Sequence, residues 1–307
     1  MPVNPVDLAN KKILITGPTG QVALPVVEHY AKIANVFALA RFRKAEDREK
    51  IESLGATVLQ ADLADASSLD IVPQDFDYVL NFAVVKSGDF DYDLAANAEG
   101  VGNLMTRCRT AKAFLHFSST AVYEYCGQEL RAEDAPLGDN HRVMFPTYSI
   151  SKIAAETVCR FVAHQQNMPT TIARLSVPYG DNGGWMYFHM LMMQQGIGID
   201  LHPDKPNYYN PLHSDDYIAK IPYLLGAASK EVTTVNFGGS QRVSIEEWCA
   251  YITELTGFEP NFQDNPKAFG SLCIDLEKMH ELIGETKVDW RDGIRRQMEN
   301  LAPQLLR

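Results

Sequence analysis

Between Lys11 and about Val177, short apolar runs of β type alternate with helix-length amphipathic stretches. The runs are KKILIT (11–16), NVFALA (35–40), ATVLQA (56–61), DYVLNFAVV (77–85), AFLHFSS (113–119) and TTIARLSV (170–177). Helix-like stretches lie at 20–33, 44–54, 93–111 and 147–167. The runs lack strict polar alternation, as expected of strands covered on both faces. Repeated strand–helix units of this kind predict an α/β fold built on a doubly wound parallel sheet, with ligands held at the carboxyl ends of the strands.

Beyond Val177 the pattern loosens. A turn cluster, GDNGG (180–184), leads into a stretch rich in Met and aromatic residues, then a Pro-rich loop (202–211) and a helix from Ser214 to about Ala228. VTTVNF (232–237) reads as one more buried strand, and Ser244 with Glu247 three residues on is a helix-opening pair. Helices near 275–283 and 291–305 follow. This predicts a nucleotide-type domain over 1–178 plus the strand at about 232–239, and a smaller substrate-binding lobe from 179–231 and 240–307. With 28 Lys and Arg against 39 Asp and Glu, the formal charge is −11, which disfavours nucleic acid and anionic lipid as partners. The five cysteines are scattered without a C-x-x-C pair, as for reduced intracellular thiols. No signal-peptide or membrane-length apolar run is evident, so a cytoplasmic protein acting on a small molecule is expected. The eight His have no metal-binding spacing. His189 and His213 are therefore read as structural, and no metal is expected.

Three motifs carry chemistry. In ILITGPTGQVA (13–23) a strand runs through Gly17 and Gly20 into a helix, a turn that brings backbone and helix N-terminus close to a pyrophosphate. One unit later, Ala40 leaves no carboxylate for the ribose hydroxyls of NAD, and Arg41 and Arg43 follow, as suits the extra phosphate of NADP. Asp62 and Leu63 follow the third strand. Finally, Tyr148 and Lys152 lie four residues apart, on one helical face. An ammonium beside a phenol favours the phenolate, which makes a general acid/base for a carbinol oxygen. Ser119 ends the strand 113–119, where its hydroxyl can hold the same oxygen. Asn97, before that strand, reads as a cap or packing residue, and Lys86 as a surface lysine.

Taken together, TGPTGQVA, ADLAD (61–65), NFA (81–83), NAEG (97–100), SSTAVY (118–123), YSISK (148–152), ARLSVPYG (173–180) and HSDD (213–216) resemble the extended short-chain dehydrogenase/reductase family, the NAD-dependent epimerase/dehydratase group. The resemblance implies a Rossmann-type sheet in which Gly17, Thr19, Gly20, Gln21 and Val22 cradle the pyrophosphate. It places Arg41 at the adenosine phosphate, Asp62 and Leu63 at the adenine, and Phe82 and Ala83 along the cofactor. It implies a catalytic triad of Ser119, Tyr148 and Lys152, with Tyr148 and Lys152 also at the cofactor. Family members are commonly dimers, so a homodimer is the expectation that the resemblance carries.

The departures narrow the substrate. Thr120 and Ala121 stand where 4,6-dehydratases of the family carry an Asp-Glu pair. Val177 replaces the Asn of the family's R-x-x-N, and Tyr209-Asn210-Pro211 lacks an Arg for a diphosphate. Thr120, Val177, Trp185, Met186 and His189, together with Ser119, are the expected substrate walls. The leading expectation is an oxidoreductase, NADP-dependent with NAD as the alternative, that interconverts a carbonyl and an alcohol on a small, fairly apolar substrate. A sugar or nucleotide-sugar epimerase that keeps its NAD is the second expectation. A non-catalytic NADP-sensing protein is the third, and it has no need of the triad.

Overall fold

The computed structural model describes residues 2–307. Strands and helices follow in the order β1 (Lys12–Thr16), α1 (Ala23–Tyr30), β2 (Asn35–Ala40), α2 (Ala45–Ser53), β3 (Thr57–Gln60), β4 (Tyr78–Asn81), α3 (Phe90–Leu94), α4 (Gly100–Arg107), β5 (Ala113–Ser119), α5 (Tyr148–Gln166) and β6 (Thr170–Leu175). Then come β7 (Pro178–Tyr179), α6 (Trp185–Gln194), β8 (Gly198–Leu201), β9 (Tyr208–Tyr209), β10 (Leu212–His213), α7 (Ser214–Gly226), β11 (Thr233–Phe237), β12 (Val243–Ser244), α8 (Ile245–Thr256), β13 (Asn261–Asp264), α9 (Glu277–Ile283) and α10 (Trp290–Leu301). Seven strands form one parallel sheet in the order β11-β6-β5-β4-β1-β2-β3. The order reverses between β1 and β4, and a ligand crevice opens at such a switch point.

Both faces of the sheet are buried, which is why its strands read as continuous apolar runs. Along β1, Ile13 and Ile15 pack with Val26 and Val27 of α1 and Leu224 of α7, whereas Leu14 joins Leu104 and Met105 of α4 on the other side. The helix over 214–226 thus covers the sheet: Tyr30 Oη donates to the Ile218 carbonyl at 2.8 Å and Thr171 Oγ1 to that of Leu224 at 2.7 Å. The core continues from this face into the C-terminal lobe through Met190, Trp248 and Ile252. Ser244 and Glu247 form the reciprocal cap expected of their spacing.

Two sequence boundaries move. β4 stops at Asn81, four residues short of the apolar run, because Phe82 to Val85 leave the sheet and line the crevice. The stretch 93–111 is no single helix either. A π-type turn over Ala95–Glu99 separates α3 from α4, and it carries Asn97. Among the described residues no helix is long and apolar enough to cross a membrane, and no cluster of three metal-ligating side chains occurs.

Candidate active site

The turn after β1 forms the floor of the crevice. Gly17 has φ +64°, and a Cβ there would stand 3.0 Å from the Ala83 Cα, so glycine is what lets this turn meet the exit of β4. Gly17 N–H donates to the Leu39 carbonyl and Gly20 N–H to that of Gly17, each at 3.0 Å. α1 begins three residues later, and the first N–H groups of a helix have no partner within it. The residues here therefore fit a pyrophosphate: a close-packed glycine turn beneath, helix N–H groups beside it, and a trough of about 370 Å³ above. Thr19, Phe82, Ala83 and Leu63 line the same trough. Gln21 and Val22 face the next cavity instead, and Gln21 Nε2 donates to the Gly183 carbonyl at 3.1 Å.

Arg41 and Asp62 lie at the far end of the trough, joined by a residue that sequence reading did not single out. The Tyr92 hydroxyl accepts from Arg41 Nη1 and donates to Asp62 Oδ2 at 3.3 Å. Arg43 and Lys44 stand on the same rim, with Asp47. Gly100 backs this end: a Cβ on it would come within 2.6 Å of the Leu63 carbonyl oxygen.

A second cavity, of about 440 Å³, shares Phe82 and Val84 with the trough, so the two run together. Ser119 (end of β5), Tyr148 (first residue of α5) and Lys152 (one turn on) all line it. Burial pushes the Tyr148 phenol above its ordinary range, against a hydrogen bond with Ser119 that lowers it. Burial pushes the Lys152 ammonium down to about 8, and Lys152 Nζ donates to the Phe117 carbonyl at 2.8 Å. Burial is thus the larger influence on the Tyr148 phenol, and the hydrogen bond with Ser119 opposes it. Behind the strand ends runs a buried polar chain. Thr16 Oγ1 donates to Asn81 Oδ1 at 2.6 Å, and Asn81 Nδ2 lies 2.9 Å from His116 Nδ1. These three residues sit on three different strands, so no local pattern announces them.

The walls divide the expected residues. Thr120, Val177 and Trp185 line the cavity. Met186 and His189 do not: Met186 is fully buried in the core, and His189 Nδ1 accepts the indole N–H of Trp248 at 2.9 Å. On a helix that begins at Trp185, these two side chains point into the core rather than toward the crevice. Val177 has φ +31°, an uncommon and strained conformation for a β-branched residue, and it turns the chain out of β6 toward the cavity. Phe145, Phe188, Tyr209 and Phe269 complete a largely aromatic lining, and Tyr209 Oη turns away, donating to the Phe269 and Gly270 carbonyls. His213 lies elsewhere, capping α7 by accepting from the Asp215 N–H.

The loop after β4, which carries the exposed Lys86, is fastened to this site. Asn97 Oδ1 accepts from the Val85 N–H, and its Nδ2 donates to the Val85 carbonyl, both at 2.7 Å. Asp93, fully buried, accepts from the Ser87 hydroxyl at 2.6 Å, from the Ser87 and Gly88 N–H groups, and from Thr147 Oγ1 at 2.5 Å. One carboxylate thus ties the loop to the residue before Tyr148.

Comparison with known proteins agrees with this geometry. The family model described as NAD dependent epimerase/dehydratase family matches residues 13–238. The chain is 23 % identical to an uncharacterised UDP-glucose epimerase, YtcB, of Bacillus subtilis, over 95 % of this chain and 98 % of that one. It is 24 % identical to the dTDP-D-glucose 4,6-dehydratase of Bos taurus, over 97 % and 90 %. Among solved structures it is similar to the UDP-glucose 4-epimerase of Thermotoga maritima with UDP-glucose (TM-score 0.80, 19 % identity, 96 % and 99 % covered). It is also similar to the UDP-glucuronic acid 4-epimerase of Bacillus cereus with UDP-glucuronic acid and NAD (TM-score 0.79, 19 % identity, 95 % and 99 % covered).

Proposed function

As the chain belongs to the NAD dependent epimerase/dehydratase family, we propose that it is an enzyme that interconverts a carbonyl and an alcohol with a nicotinamide cofactor, Tyr148 moving the proton. The observation that carries this reading is the meeting of Ser119, Tyr148 and Lys152 in a cavity that opens into the glycine-floored trough. The cofactor, when bound, supplies or accepts the hydride. In reduction the Tyr148 hydroxyl gives its proton to the substrate oxygen and is left as phenolate; in oxidation it takes the proton back. Ser119 donates a hydrogen bond to that oxygen and orients it. Lys152, anchored on the Phe117 carbonyl, keeps a cation at the cavity floor that favours the phenolate when it forms. The division of labour we propose gives cofactor binding to the sheet and substrate binding to the lobe around α6 and α8. The helix α7, assigned to that lobe in the sequence reading, moves to the cofactor side because it packs on the sheet.

NADP is the proposed cofactor, since Ala40 offers no carboxylate to a ribose and Arg41, Arg43 and Lys44 gather at that end. NAD is the alternative, the cofactor named for the Bacillus cereus structure. Fluorescence titration of the reduced cofactors is expected to give tighter NADPH than NADH by about thirtyfold, the worth of roughly 2 kcal/mol of charge-assisted hydrogen bonding. Arg41→Ala is expected to remove most of that difference. Equal affinities in the parent protein return the cofactor to NAD.

The relatives' names favour a second reading, a nucleotide-sugar epimerase. The cavity argues against it. A diphosphate buried with too few cationic or N–H partners costs several kcal/mol. Val177 and Tyr209 stand where the family resemblance puts such partners, which leaves Lys86, among the described residues, as the one cation of the lining not already engaged. Nor does it carry a dehydratase's acid pair, because Thr120 and Ala121 occupy those places. Calorimetry with UDP and dTDP is expected to find binding no tighter than about millimolar, on the order of −4 kcal/mol. Micromolar binding that NADP does not compete, together with NAD retained through purification, establishes the epimerase instead. Net consumption of NADPH with arylalkyl ketones or aldehydes establishes the oxidoreductase.

A further inference from the structure

Among the described residues, every side chain lining the catalytic cavity is neutral or basic: in a chain of charge −11, none of them is Asp or Glu. Three basic side chains do, namely Lys86, His141 and Lys152. Lys152 is engaged with the Phe117 carbonyl, and His141 stacks on Phe269 at 4.2 Å between ring centroids, where burial and the nearby Lys86 charge hold it neutral, its pKa pushed down to about 4. Lys86 is left. Among the described residues it has no carboxylate partner, and its ammonium stands 4.6 Å from the Phe145 ring centroid and 5.2 Å from that of Tyr148. A lysine on a loop is ordinarily a solvated one. This loop, however, is fixed on both sides of Lys86, with Val85 clasped by Asn97 and with Ser87 and Gly88 held by the buried Asp93. Two buried polar side chains, spent on three loop residues, present one cation over the catalytic phenol.

Resting on the oxidoreductase reading above, we infer that the substrate is a carboxylate with an apolar, aromatic-sized body, and that Lys86 selects it by pairing with the carboxylate. One free cation matches one negative charge, which separates this ligand class from a diphosphate. The aromatic walls take the body, and the polar end stays at the cavity mouth beside Ser119 and Tyr148, the place where a carbonyl near the carboxylate would react.

Equilibrium binding tests this without turnover, so its failure is distinguishable from failure of the hydride-transfer reading. The probes are 3-phenylpropanoate and its uncharged amide, followed by fluorescence quenching of Trp185, which lines the cavity. The acid is expected to bind about tenfold more tightly than the amide, the modest ratio that suits a partly exposed ion pair. Lys86→Gln is expected to bring the acid to the level of the amide without changing the amide, and Lys86→Arg to keep the preference. NADPH affinity is expected to be the same in all three proteins. Equal binding of acid and amide by the parent overturns the inference, as does a preference that survives in Lys86→Gln. It is also overturned if Lys86→Gln weakens NADPH and leaves the preference intact, which assigns the lysine to a cofactor phosphate.

Discussion

Tyr148→Phe is expected to abolish turnover, by roughly 10²–10⁴-fold, and to leave the affinity for the reduced cofactor unchanged. The change removes one oxygen. The ring keeps its contacts, with Phe145 6.2 Å and His141 5.9 Å away between centroids and Lys86 over its face, so neither the N-terminus of α5 nor the cavity wall has reason to move. What is lost is the phenolic hydroxyl that stands beside Ser119 in the cavity. Lys152→Ala is expected to behave differently. It deletes the bond to the Phe117 carbonyl as well as the buried charge, so cofactor affinity and rate are expected to fall together. Steady-state rates beside cofactor titrations separate the two patterns. A Phe variant with the parental rate removes Tyr148 from the chemistry.

The parts of this molecule that could be read from sequence are those whose signal is local. Strands buried on both faces are continuous apolar runs, and β1 shows why: Ile13, Leu14 and Ile15 are all fully buried, in two different cores. Tyr148 and Lys152 are four residues apart on one helix, so their spacing alone puts them on one face. Gly17 and Gly20 announce a turn because the backbone there needs what glycine permits. Other features depend on partners far away in the chain. Tyr92 joins Arg41 and Asp62 across 51 and 30 residues, and Asp93 reaches Thr147 across 54, with no motif to mark either. The end of β4 was hidden because Phe82 to Val85 stay apolar while they change from sheet to crevice lining. Met186 and His189 were placed at the cavity from a composition that is equally that of a core, and the rotation of α6 puts them in the core. Lys86 is exposed, as its sequence context suggests. Its place on the cavity wall was not legible, because what fixes its loop, Asp93 and Asn97, lies on the next helical segment and carries no signal of that contact.

The largest expected loss of stability lies beneath the catalytic strand end, at a buried ion pair. Glu156, one turn beyond Lys152 on α5, accepts from Arg174 Nη2 at 2.8 Å and from Arg174 Nε at 3.0 Å, and both residues are 2 % exposed. Ser118 Oγ donates to the same carboxylate at 2.6 Å, and Arg160 adds a bond from the rim. Burial alone raises the Glu156 carboxyl, but Arg174, Ser118 and Arg160 together hold it below its ordinary range. Glu156→Ala leaves the Arg174 guanidinium buried against the Tyr123 ring without its counter-charge, and about 3–5 kcal/mol of stability is expected to go with it. The double replacement Glu156→Leu with Arg174→Met is expected to recover most of that loss, because the desolvation of both charges disappears along with their attraction. The pH dependence follows from the sign of the shift. A carboxyl whose folded pKa is depressed contributes its full stability above the unfolded value of about 4.3 and loses it as pH falls through the lower folded value. Thermal unfolding from neutral pH into the acid range is therefore expected to show a steeper decline for the parent than for the double variant. Parallel curves for the two proteins refute the pairing as a source of acid-sensitive stability. Because Ser118 is bonded to Glu156 and precedes Ser119 in the chain, the single variant is also expected to lose activity before it unfolds, as the strand end that holds the substrate oxygen loosens.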